Sequence, residues 1–108
     1  MLNAPLSSFL AQQGMDHYTL GLKFTAAGQQ TRAIEAFELA LLQNPEDTRS
    51  LFALGNTAKA LGLAPAAADF YRRVLALEPG RLEAIVNLAN LLRSQGQFVA
   101  AEDLFNGE

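Results

Sequence analysis

The sequence predicts an all-α fold, an α-α superhelix of three helix hairpins with the last one cut short. Three observations predict it. Leu20, Leu54 and Leu88 recur 34 residues apart, and five further columns keep the same spacing: Gly21, Gly55 and Ala89; Gly28, Gly62 and Gly96; Ala33, Ala67 and Ala101; the aromatics Phe37, Tyr71 and Phe105; and Pro45 with Pro79. Within each period the apolar residues fall at helical spacing, and glycine and proline punctuate between them. Half of the 108 residues are apolar and 18% are charged, enough to bury a core, and there is room for one compact domain or one short repeat array.

The elements follow in order. Residues 1–13 lie outside the period and form an N-terminal arm or a capping segment, on which Leu6, Phe9 and Leu10 give an apolar edge. The first repeat, 14–47, holds helices at about 15–27 and 30–43. Leu20, Phe24 and Ala27 line one, and Ala33, Phe37, Ala40 and Leu41 line the other. Gly28 stands where a helix ends in the left-handed conformation. Pro45 then forces Asn44 out of the helical region. The second repeat, 48–81, holds helices at about 48–61 and 64–77, the first capped by Asp47. Pro65 falls in the first turn of the second, where its missing N–H does no harm. The third repeat, 82–108, is incomplete, with helices at about 82–95 and 98–106. Small residues such as Gly21 and Ala33 suit the closest approach of two helices, and Phe37 fills the space a turn further on. A lone hairpin of this kind cannot bury its apolar face, so the repeats must stack.

A 34-residue period with Leu-Gly, Gly, Ala, aromatic and Pro in this order resembles the tetratricopeptide repeat. The resemblance covers residues 14–108. It departs from the pattern at the fourth repeat position, where His17, Leu51 and Ile85 replace a large aromatic. It implies a non-catalytic module that binds a peptide or protein segment in a concave groove. Carried over by repeat position, the groove residues are Tyr18 and Leu22; Phe52, Asn56 and Lys59; and Val86, Asn87, Asn90 and Arg93. Tyr18, Leu22, Phe52 and Val86 are apolar or aromatic. The asparagine amides both donate and accept, as a peptide backbone requires. Lys59 and Arg93 share one repeat position and make that end mildly basic, so an apolar anchor with a nearby carboxylate would match. At the positions where chaperone-tail adaptors carry their charged clamp stand Tyr18, Leu22, Ala53, Glu83 and Asn87, so that clamp is absent. The third repeat, Asn87 to Arg93, resembles the repeats of O-linked N-acetylglucosamine transferase-like proteins. A substrate-recognition part of a larger enzyme such as a glycosyltransferase is one alternative, and a secretion chaperone is another.

Catalytic patterns are missing. There is no cysteine and one histidine, so a Cys-His pair is impossible and a serine triad would need His17 as its base. His17 sits in an inter-helix column and reads as a packing residue. No phosphate loop and no metal-ligand spacing occurs, and no cofactor or metal is expected. Glu35, Glu38, Asp69, Glu102 and Asp103 read as a solvated outer face. The formal net charge is −3 and the basic residues form no run, which points away from nucleic acid and membrane. No signal peptide or membrane span is legible, and a cytoplasmic location is expected. The unfinished third repeat leaves Phe98, Val99, Leu104 and Phe105 to be covered, so a homodimer through that end is also expected.

Overall fold

A computed structural model describes residues 16–107, and the N-terminal arm with Leu6, Phe9 and Leu10 lies outside them. Six helices and no strand occur among the described residues: α1 (His17–Ala26), α2 (Gln30–Gln43), α3 (Thr48–Ala60), α4 (Ala64–Leu77), α5 (Leu82–Ser94) and α6 (Phe98–Phe105). The chain divides into two compact units, Met1–Ser50 and Leu51–Glu108. The division falls in the first turn of α3.

In the first unit, α1 begins at His17 because the Asp16 carboxylate accepts the Thr19 N–H at 2.8 Å. It ends on a Schellman motif. The Gln29 N–H donates to the Phe24 carbonyl at 2.9 Å, the Gly28 N–H to the Thr25 carbonyl at 3.0 Å, and Gly28 takes φ +76°. The expected ends of α1, α3 and α5 lie one residue too late, since a cap residue (Ala27, Leu61, Gln95) stands between the last helical residue and its glycine. Gly107, just after α6, also takes positive φ. The core face of α2 is Ala33, Ala36, Phe37 and Ala40, all buried. Gly21 lies over the Phe37 ring so closely that a Cβ would fall inside it. Asn44 is extended, at φ −145°, as its place before Pro45 requires.

Asp47 then caps α3, its Oδ1 accepting the N–H of Arg49 at 3.2 Å and of Ser50 at 3.4 Å. The Arg49 guanidinium and the Ser50 hydroxyl also donate to this buried carboxylate. Burial alone would push the Asp47 carboxyl up, but these bonds outweigh it and hold it below the usual range. A depressed native pKa gives stability that is present above the unfolded-state value of about 3.9. That stability is lost as pH falls through the native value. Asp47→Ala is therefore expected to cost about 0.5–2 kcal/mol at neutral pH. The gap to the parent chain should close below about pH 4. Urea midpoints measured at neutral pH and in acid check both statements.

In the second unit the core is Ala58, Ala67, Ala68, Tyr71, Leu88, Ala89, Leu91, Leu92 and Ala101, contributed by α3, α4, α5 and α6. A fully buried leucine of this kind contributes about 1.5–3 kcal/mol. The aromatic column shows how coverage falls off along the chain: Phe37 is 1% exposed, Tyr71 0% and Phe105 50%. Phe98 and Val99 are more open still, at 64% and 73%.

Candidate functional site

The nine groove residues divide between the units. Tyr18 and Leu22 stand on α1 in the first, and the other seven stand on α3 and α5 in the second. Phe52, Asn56 and Lys59 follow one another at i, i+4 and i+7 on one side of α3, and Val86, Asn90 and Arg93 do the same on α5. A hydrogen bond from Asn87 to Asn56 joins the two rows.

The aromatics are less free than groove anchors would be. Tyr18 is half-buried, its ring centroid 6.0 Å from that of Phe37, and the Arg49 guanidinium lies 4.4 Å from it. Phe52 is half-buried in the corresponding way, 5.8 Å from Tyr71 and 4.7 Å below the Arg81 guanidinium. Acidic neighbours hold both arginines. Arg49 pairs with Asp47 at 3.0 Å and Asp16 at 3.5 Å, and Arg81 with Glu78 at 3.3 Å. The Asp47 and Asp16 carboxylates raise the Arg49 guanidinium pKa further above its ordinary value. Sequence reasoning missed these arginine shelves. The signal for one was Arg81, which stands just before α5 where a capping side chain is ordinarily found, and makes no capping bond there.

Between the rows lies a polar cluster. The Tyr71 hydroxyl donates to Asn56 Oδ1 at 2.6 Å, and Asn87 Nδ2 donates to the same oxygen at 3.2 Å. Tyr71 was legible in the sequence only as a core aromatic. The signal that it is more was its hydroxyl, in a column where the other two residues are phenylalanine. Burial pushes the Tyr71 phenol up, so it keeps its proton and donates at neutral pH. At the C-terminal ends of the rows, Lys59 and Arg93 are exposed. Arg93 donates to Asn90 Oδ1 at 3.2 Å and lies 5.7 Å from the Phe105 ring. Val86 and Leu22 are exposed apolar residues on α5 and α1.

Elsewhere His17 is 4% exposed, with Nδ1 3.1 Å from Gln43 Oε1 and Nε2 buried without a hydrogen-bond partner among the described residues. Glu35, Glu38, Asp69 and Glu102 are exposed and Asp103 is half-buried. Among the described residues no three His, Asp or Glu side chains could hold a metal, and no helix is long and apolar enough to cross a membrane.

Residues 58–107 match the family profile described as tetratricopeptide repeat. Over that stretch the chain is similar to tetratricopeptide repeats. Such repeats generally mediate protein–protein interaction, and the repeat is ordinarily a non-catalytic module. Two crystal structures of MamA proteins share this fold. One has a TM-score of 0.80 at 21% identity over 84% of this chain and 53% of that one. The other has a TM-score of 0.77 at 21% identity, over 84% and 50%. In sequence, the chain is 36% identical over 78 residues to a probable biofilm formation methyltransferase, WspC, of Pseudomonas aeruginosa. That match takes in 72% of this chain and 18% of the methyltransferase. The chain thus spans about half the length of the MamA chains and less than a fifth of WspC.

Proposed function

We propose that the face of α3 and α5 binds a segment of another polypeptide. The observation that carries this reading is the row of half-used polar groups at Asn56, Asn87 and Asn90, set between the apolar Phe52 and Val86 and the exposed cations Lys59 and Arg93. A segment with an apolar side chain near Val86 and a carboxylate near Lys59 or Arg93 is complementary to it. Tyr18 and Leu22 take the corresponding repeat positions on α1, in the first unit. Phe52→Ala and Asn87→Ala are expected to weaken a peptide selected on this protein by about tenfold or more. Glu38→Ala, a change at an exposed position of α2, should leave it unchanged. Calorimetric titration decides: affinity that survives both groove changes moves the site elsewhere.

A second reading is favoured by the methyltransferase match, in which this stretch is a small part of a longer protein. In that reading the repeats hold a substrate or partner for an attached enzyme. A native reading frame that continues from these repeats into a catalytic domain selects it.

Self-association through α6 belongs to the same proposal, because Phe98, Val99 and Phe105 present apolar surface that a second copy would cover about a two-fold axis. Light scattering should show mass rising with concentration, and Phe105→Glu should hold the chain monomeric. A monomer at all concentrations, unchanged by Phe105→Glu, shows that the surface needs no cover.

A further inference from the structure

Four exposed apolar side chains of the second unit lie outside its core: Leu61, Leu63, Phe98 and Val99. Leu61 and Leu63 flank Gly62 in the turn after α3, and Phe98 and Val99 open α6 just past the turn after α5. Consecutive helices joined by short turns run antiparallel, so α3 and α5 point the same way and both turns stand at one end of the unit. The two turns share one backbone form. The Leu63 N–H donates to the Ala58 carbonyl at 2.9 Å and the Gln97 N–H to that of Leu92 at 2.8 Å, around Gly62 at φ +78° and Gly96 at φ +79°. The same form in the first unit carries Ala27, Gln29, Gln30 and Thr31 at the matching positions. The turn itself therefore asks for no large apolar group. Charge is segregated in the same sense. Residues 51–68 and 84–101 hold no carboxylate, and their only charges are Lys59 and Arg93, both exposed and each in the last turn before its glycine. Among the described residues neither cation has a carboxylate partner, whereas Arg72 and Arg81 do. Asp69 and Glu102, the nearest carboxylates along the chain, stand a turn or more inside α4 and α6. The net charge of −3 belongs to the whole chain and conceals this end of it.

We propose that this end of the second unit docks on an anionic lipid bilayer, with the four apolar side chains entering the headgroup–acyl boundary and Lys59 and Arg93 meeting the acidic headgroups. The inference is independent of the peptide-binding reading. Apolar groups beside unneutralised cations are the combination that such an interface rewards, because burial in the boundary and attraction to anionic lipid act together. The backbone suits the place as well. A turn that enters an apolar layer must satisfy its own polar groups, and here the glycine N–H groups donate to Lys59 and Arg93 carbonyls at 3.0 and 2.9 Å, beside the two bonds already given. The side chains stand on the ends of helices and not on the walls of a groove, a form that meets a flat surface better than an extended peptide. A two-fold contact between copies centred on Phe105 uses the far end of α6. One centred on the turns would set Lys59 and Arg93 against their own counterparts.

The experiment uses the full chain and two kinds of vesicle, pure phosphatidylcholine and phosphatidylcholine with about 30% phosphatidylserine. The parent chain should sediment with the anionic vesicles and bind the neutral ones about tenfold more weakly. Lys59→Gln should weaken anionic binding by about fivefold. Leu63→Gln and Phe98→Gln together should weaken it by about tenfold or more. These two glutamines copy Gln97 and Gln30, which the chain already carries at the matching positions, so helical circular dichroism should be kept. Neither touches Phe52 or Asn87, so the double variant should bind a selected peptide as its parent does, and the two readings fail separately. The chain has no tryptophan, which makes Phe98→Trp a single reporter. Its emission should move to the blue on anionic vesicles, while that of Leu82→Trp, exposed at the opposite end of α5, should stay put. No sedimentation with either vesicle overturns the proposal and points to an acidic, apolar protein surface as the occupant. Equal binding to both vesicles, or a shift in Leu82→Trp and not in Phe98→Trp, overturns it too. A double variant whose lipid-free mass falls by light scattering while its sedimentation is unchanged assigns this end to a second copy and overturns the bilayer.

Discussion

Alanine at Gly55 is expected to destabilise the protein by about 1–3 kcal/mol, the usual range for overpacking. Helix propensity alone gives the opposite sign, since glycine inside a helix costs about 1 kcal/mol relative to alanine. Geometry decides between them. A Cβ at Gly55 would stand 2.7 Å from Tyr71 Cε1 and 2.9 Å from Cδ1, closer than carbon atoms approach without displacement. The ring has nowhere to go, because it lies within the core of the second unit and its hydroxyl is bonded to Asn56. Moving it would also break that part-buried bond, a further loss of about 1 kcal/mol. Gly21→Ala should behave alike in the first unit, where the obstacle is the Phe37 ring. Urea midpoints at unchanged slope give the measurement. A Gly55→Ala chain as stable as its parent would mean that the ring yields more easily than its packing implies.

Leucine at Ala67 is the second large effect, with an expected loss of about 1–3 kcal/mol. Ala67 is fully buried in the same core, and three extra carbons there must part α4 from its neighbours. Asp69→Ala, two residues on, should stay within about 0.5 kcal/mol. Its carboxylate is exposed, and its ion pair with Arg72 at 3.7 Å lies in solvent on both sides. Equal midpoints for the two variants would mean that the faces of α4 are wrongly assigned.

Most of the fold was legible because the features that build it are local in sequence. Gly28, Gly62 and Gly96 end helices by their own backbone freedom, and Pro45 acts on the residue beside it. The Gly21–Phe37 and Gly55–Tyr71 contacts, though between helices, were announced by columns that repeat together. What the columns could not carry was the difference between one repeat and the next. Tyr71 and Phe37 share a column, yet only Tyr71 orients two asparagines. Asp47 and Arg81 both stand just before a helix, yet one caps it and the other covers Phe52. Tyr18 and Phe52 were assigned to the groove by position, and position says nothing of the guanidinium that covers each. Side-chain pairing of that kind depends on three-dimensional neighbours that no spacing rule names.

Helices consecutive along the chain make the strongest tertiary contacts, α1 with α2, α4 with α5 and α5 with α6. The turns that join them are short, so little chain entropy is lost in bringing partners together. Contacts this local place the protein among chains that fold in microseconds to milliseconds rather than seconds. No distant pairing has to be found before a hairpin gains its first buried contacts, so folding has no obligatory starting point and either compact unit is able to nucleate it. The same locality sets the response to pulling on the ends. Helices should come away in succession, so the chain yields gradually under load instead of failing at one breaking force.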